Sequence, residues 1–227
     1  MNTYDSIVGV AICPHPPLLI PQIAAGAAAE TDELRAACDQ VVARLLATNP
    51  AQIVVVGPQS PRRGLGAFAP GVDGLAFASA EQPLSLAIGA WLLDRAHADV
   101  TRRFVAVRPD GTPATGWPDL SSLASLPGLT ALLVMADGSA RRSAKGPGYL
   151  DERAMPFDAE LVKAIAESDV EKLASLDPAL SEELLVGGVG AFKALAALAR
   201  GIRWQADVRY ADAPYGVQYT VAFWARS

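Results

Sequence analysis

Ile7-Val8-Gly9-Val10-Ala11-Ile12-Cys13-Pro14-His15-Pro16-Pro17-Leu18-Leu19 decides how the rest of the chain is read. Its first seven residues are apolar without alternation. That is the pattern of a strand covered on both faces, as in parallel sheets flanked by helices. The run then gives way to a histidine held between prolines. Proline fixes its own φ and restricts the residue before it, so the His15 imidazole is carried on a stiff, extended segment. In open parallel sheets ligands bind outside the carboxyl ends of strands. His15 is therefore the first candidate site residue.

Working outward, Thr31 and Asp32 can cap a helix whose Leu34, Cys38, Val41, Val42 and Leu45 share one face, ended by Asn49-Pro50. Residues 53–56 form a second apolar strand, so strand, helix and strand make a parallel βαβ unit. This strand runs into Gly57-Pro58-Gln59-Ser60-Pro61-Arg62-Arg63-Gly64, a second proline-braced polar loop expected beside the His15 loop. Residues 65–82 read as loop with a short strand near 75–77. A helix over 84–98, a short strand over 104–107 and a buried strand over 129–135 follow. The last of these ends in Asp137-Gly138-Ser139, and Asp before Gly suits a turn cap. A long loop over 138–154 carries Arg141, Arg142, Lys145 and Tyr149. Phe157, Leu161, Ala164 and Ile165 mark a helix face. A shorter helix follows Asp177-Pro178, and Val189, Phe192, Leu195 and Ala196 mark another face, closed by Gly201. Residues 206–210 and 217–223 flank Asp212-Ala213-Pro214-Tyr215-Gly216 as an antiparallel hairpin. The expected fold is α/β: one domain over 1–227, a mainly parallel central sheet flanked by helices, and an antiparallel C-terminal hairpin.

Composition narrows the function classes. The 227 residues are 51% hydrophobic and 19% charged, with a net charge of −5 and basic residues scattered singly or in pairs. That balance argues against a nucleic-acid surface. Cys13 and Cys38 fall in a strand and a helix and read as buried small hydrophobes, with no disulfide required. No apolar run reaches membrane-spanning length and the first residues lack a basic leader, so a soluble cytoplasmic protein is expected. His97, among Asp94, Arg95 and Asp99, reads as helix surface.

Several of these polar strand ends and turns occur in a familiar order. Cys-Pro-His15-Pro-Pro-Leu-Leu, Val-Val-Val-Gly-Pro-Gln59-Ser-Pro, Asp137-Gly-Ser-Ala, Gly148-Tyr149 with Phe157-Asp158, and Asp212-Ala-Pro-Tyr-Gly-Val follow one another along nearly the whole chain. Together they resemble the class III extradiol ring-cleavage dioxygenases, the LigB-like superfamily that includes Memo-like proteins. The chain especially resembles the small, alanine-rich LigB-domain proteins of actinobacteria. The resemblance implies a non-haem Fe(II) centre built from two histidines and a carboxylate, with open positions for a catechol and O₂. The first histidine falls on His15 and the carboxylate on Asp212. The second falls on Gln59, a neutral amide and a weak ligand beside an imidazole, so the implied site is degenerate.

The implied metal set is thus His15, Gln59 and Asp212, around Fe(II) if the protein is active, and otherwise around another divalent metal or none. His15, Tyr149 and Tyr215 are candidate catalytic groups, the tyrosines as hydrogen-bond partners of a phenol. Gln59, Arg62 and Asp137 are candidate substrate contacts. The partner expected is a small aromatic or anionic molecule, without nucleic acid or membrane; a homo-oligomer stays open. Two further readings stand beside ring cleavage: a non-catalytic protein that keeps the cleft and binds a small anionic ligand or a protein partner, and, more weakly, a metal-dependent hydrolase.

Overall fold

A computed structural model describes residues 6–59, 82–125 and 127–227. The expected short strand near 75–77, and Arg62, lie outside the described residues. Six strands form one sheet in the order β3-β2-β4-β1-β6-β5. They are β1 (Ile7–Cys13), β2 (Gln52–Pro58), β3 (Thr101–Val107), β4 (Thr130–Met135), β5 (Trp204–Asp212) and β6 (Tyr219–Arg226). The first four are mutually parallel, and β6 pairs antiparallel with both β1 and β5. The mixed α/β architecture with a C-terminal antiparallel hairpin is as the sequence implies.

The helices are α1 (Pro21–Ala24), α2 (Asp32–Ala47), α3 (Leu84–Arg95), α4 (Ala154–Ala166), α5 (Val170–Ala174), α6 (Pro178–Glu183) and α7 (Val189–Ala199). Side chains alternate across each strand, so the unbroken apolar runs feed two cores. Ala11, Cys13, Val55, Leu133 and Met135 pack with Leu34, Cys38, Val41 and Leu45 of α2 and with α3. Val10, Ile12, Val56, Leu132 and Val134 pack on the opposite face with Leu161 and Ile165 of α4 and with α7. Trp224 is fully buried on β6, and its indole N–H donates to the Ile165 carbonyl at 2.9 Å, which ties the hairpin to α4.

One detail departs from the simple βαβ reading. β1 and β2 are parallel but not neighbours, because β4 lies between them. This insertion places the site. β1 and β2 lead into α2 and α3 on one face, whereas β4 leads towards α4 on the other. Connections that leave adjacent strand ends for opposite faces open a crevice at the carboxyl edge. The residues that follow β1, β4 and β2 are the ones carrying His15, Asp137 and Gln59.

Candidate functional site at the carboxyl edge of the sheet

His15 follows β1 on a segment in which Pro14 and Pro16 are both buried. The residue itself is only 8% exposed. Its backbone N–H donates to Asp137 Oδ1 at 2.9 Å, a bond across 122 residues of sequence that clamps the tail of β1 to the tail of β4. Asp137 thus braces the His15 segment instead of capping the turn that follows it. The same oxygen lies 3.5 Å from His15 Nδ1, too far to satisfy it, and Nδ1 is buried without a hydrogen-bond partner. Burial pushes the Asp137 carboxyl above the usual carboxylate range, while His15 pulls it part of the way back.

Gln59 stands at the end of β2 with its side chain exposed and its backbone N–H bound to the Val107 carbonyl at 2.9 Å. That bond fixes it against the tail of β3, where Arg108 begins. Arg108 is exposed, and its Nε donates to Thr112 Oγ1 at 3.1 Å. The fourth wall comes from Val186-Gly187-Gly188-Val189-Gly190, which opens α7. Gly188 is the N-cap and offers no side-chain acceptor, and the first turn of α7 holds no acidic residue. The first amides of a helix have no intrahelical acceptor and carry the positive end of its dipole.

The glycines allow these parts to close up. A Cβ on Gly187 would lie 3.8 Å from His15 Cε1 and 3.7 Å from Asp137 Oδ2. A Cβ on Gly188 would come within 2.6 Å of Ala136 Cβ, and one on Gly190 within 2.1 Å of the Arg108 carbonyl oxygen. At Gly188 and Gly190 only hydrogen lets the start of α7 lie against the tails of β4 and β3, whereas a Cβ on Gly187 would make ordinary contacts. The enclosed cleft measures about 290 Å³, with His15, Gln59, Arg108, Val186, Val189 and Gly190 in its walls. This is near the lower end of small-molecule sites.

The structure gathers some of the sequence-derived candidates and separates others. His15 and Gln59 line the cleft together, and Asp137 lies behind His15. Asp212 does not line it. It ends β5, two strands from β1 with β6 between, a lateral offset of about 10 Å. Its Oδ1 accepts instead from the next residue's amide, Ala213 N, at 2.7 Å. Tyr149 is 74% exposed at a positive φ of 57° and lies outside the cleft walls. The Tyr215 hydroxyl donates to Glu30 Oε2 at 3.1 Å, and Tyr215 is not among the residues lining the cleft. Arg142 serves an internal network: it donates to Asp158 Oδ2 at 3.2 Å and to Gln218 Oε1 at 2.6 Å. His97 is exposed.

Among the described residues, no three His, Cys, Asp or Glu side chains gather where they could hold a metal ion. The donors at the cleft are one imidazole and one amide, with a carboxylate engaged behind them. Of the implied set, His15 and Gln59 line the cleft and Asp212 does not, so these residues do not fit an iron centre at the cleft. Two contributors to the cleft went unnoticed in the sequence: Arg108 and the Gly-Gly-Val-Gly opening of α7. The latter carried a readable signal, since glycines just ahead of an apolar helical pattern are a known way to expose backbone amides to an anion. Neither the models of known protein families nor the curated proteins give a match to this chain.

Proposed function

We propose that this is a small-molecule-binding protein whose carboxyl-edge cleft takes an anionic head group. One observation carries the reading: the uncapped amides at the start of α7 and the imidazole of the nine-tenths buried His15, whose Nδ1 side is turned to Asp137, meet at one cleft that also holds Gln59 and Arg108. In its first turn α7 offers donors and the positive end of a dipole. Arg108 adds a planar cation suited to a carboxylate, and Gln59 adds an amide that can donate or accept. Val186 and Val189 supply an apolar wall for the body of a small ligand.

The test is calorimetric titration with benzoate and with its neutral isostere benzamide. Benzoate should bind and benzamide should be weaker by about tenfold, the loss of one charge-assisted interaction. Arg108→Gln should reduce the gap between them. Equal affinity of the two ligands, or no binding of either, defeats the proposal.

A second reading, ring cleavage in the manner of the LigB-like dioxygenases, is favoured by a separate observation: two of the three implied ligand positions, His15 and Gln59, do face the same cleft. Anaerobic Fe(II) titration followed by a catechol panel and oxygen uptake tests it. Metal retention that rises in Gln59→His, with oxygen consumed, would support it; neither retention nor uptake would sink it.

A further inference from the structure

Beyond the head-group cleft lies a second, larger hollow, and the two share residues. It measures about 660 Å³ and includes Arg108 and Pro109, which also wall the His15 cleft. Both spaces run along a single stripe of α7. Gly190 lies in the cleft, while Lys193, Ala197 and Arg200 line the hollow, at the three- and four-residue spacings that share a helix face. The turn over residues 108–112 is seated on this stripe. Gly111, at φ +85°, has no room for a Cβ because one would lie 2.7 Å from Lys193 Cβ.

The hollow has a definite chemical character. Its apolar lining comes from Pro109, Ala174, Pro178 and Ala197, and its cationic rim from Arg108, Lys193 and Arg200. Two carboxylates temper the rim. Asp110 is engaged with Thr112, accepting from its amide at 2.9 Å and its hydroxyl at 2.6 Å, and Glu171 pairs with Arg200 at 2.9 Å. Lys193 is half-buried and has no ion-pair partner among the described residues. The surplus positive charge therefore centres on Lys193 in the hollow, with Arg108 at the junction of the two spaces. Asp137 lies behind His15 and lines neither space.

Resting on the head-group reading above, we infer that cleft and hollow form one elongated site for a molecule with an apolar span and an anionic group at each end. One end meets His15 and the first turn of α7; the other meets the Lys193–Arg200 rim. Helical rise sets the scale. From Val189 it is about 6 Å along the axis to Lys193 and about 16 Å to Arg200. Charged groups roughly 10 Å apart would engage both ends, whereas a short dianion would engage one.

The experiment is a calorimetric series of straight-chain α,ω-dicarboxylates from four to ten carbons, with octanoate as the one-headed control. In parallel, the imidazole signals of His15 and His97 are followed by NMR; these are the two histidines of the chain. The inference expects affinity to rise by about tenfold from the four-carbon diacid to the longer members, and the longer members to exceed octanoate. Lys193→Gln should bring the long diacids down to the level of the short one. Ala197→Glu, on an exposed helical position, should do the same by repulsion and guards against a folding defect in the first variant. His15 signals that respond to every acid without any gain from length, or a length gain untouched by both variants, overturn the elongated site while leaving the head-group reading intact. Absence of any response at His15 overturns both.

Discussion

Replacing Gly190 with Ala tests whether the wall of the cleft depends on a hydrogen at this position. The added methyl would lie 2.1 Å from the Arg108 carbonyl oxygen, 2.9 Å from its carbon and 3.3 Å from Pro109 Cα. An ordinary carbon–oxygen approach is about 3.3 Å, so the start of α7 and the 108–112 turn must separate by about 1 Å. Overpacking of this kind costs about 1–3 kcal/mol. Because the obstacle is backbone and not the end of a flexible side chain, the upper end applies. Ala is favoured over Gly within a helix by about 1 kcal/mol, which offsets part of this. The net expectation is a loss of about 2 kcal/mol. For a chain of this size that corresponds to a fall in Tm of about 4–8 °C. Chemical denaturation and thermal melting read it directly. Gly26→Ala is the control, since a Cβ there meets nothing within 4 Å. Its stability should stay within about 0.5 kcal/mol of the parent. If Gly190→Ala melts with the parent while benzoate still binds, the packing of α7 against β3 is not what holds the cleft in shape.

Two further substitutions probe the supports of the site. Asp158 is fully buried, and its carboxylate accepts from Ser139 N at 2.9 Å, Ser139 Oγ at 2.6 Å and Arg142 at 3.2 Å. Asp158→Ala strands these donors and should cost about 3 kcal/mol in urea unfolding; a change below about 1 kcal/mol would show that water replaces the carboxylate. Asp137 gives a pH signature. Its folded pKa is raised above the ordinary 3.8, so the stability it contributes is present below that value and is lost as pH rises through the folded pKa. Asp137→Asn keeps an acceptor for His15 N but removes this loss. The stability of the variant relative to the parent should therefore increase with pH from about 3.5 upward, as read from denaturation midpoints at successive pH values. A difference that is flat or falls with pH contradicts the burial argument.

Much of the frame was legible in the sequence because it is written in short-range pattern. The unbroken apolar run gave β1 its observed limits, and the spacing of Leu34, Cys38, Val41 and Leu45 gave the buried face of α2. β3 extends three residues further towards its amino end than the apolar run suggests. It is an edge strand, and its first half, Thr101-Arg102-Arg103, can be polar while still pairing with β2. Strand order was not legible. That β4 enters between β1 and β2 depends on pairing between distant segments, which local pattern does not encode. The site suffered from the same limit. The bond from His15 N to Asp137 spans the strand order, whereas a reader of the chain sees Asp-Gly and expects a local turn. The logic of a parallel sheet placed the His15 and Gln59 loops side by side at one edge, and both residues line the same cleft. Motif resemblance could not show that Asp212 stands two strands away on the outermost strand, nor that α7 returns its glycine-rich start to close the cleft.

The central claim is that an anion is received against His15 at the start of α7. Its most direct measurement is the imidazole nitrogen spectrum of the protein during titration with benzoate. Saturable movement of the His15 resonances, with those of exposed His97 unchanged and about tenfold more benzamide needed for the same movement, is the result expected. Resonances of both histidines moving together, or His15 remaining still while benzoate binds elsewhere, would contradict it.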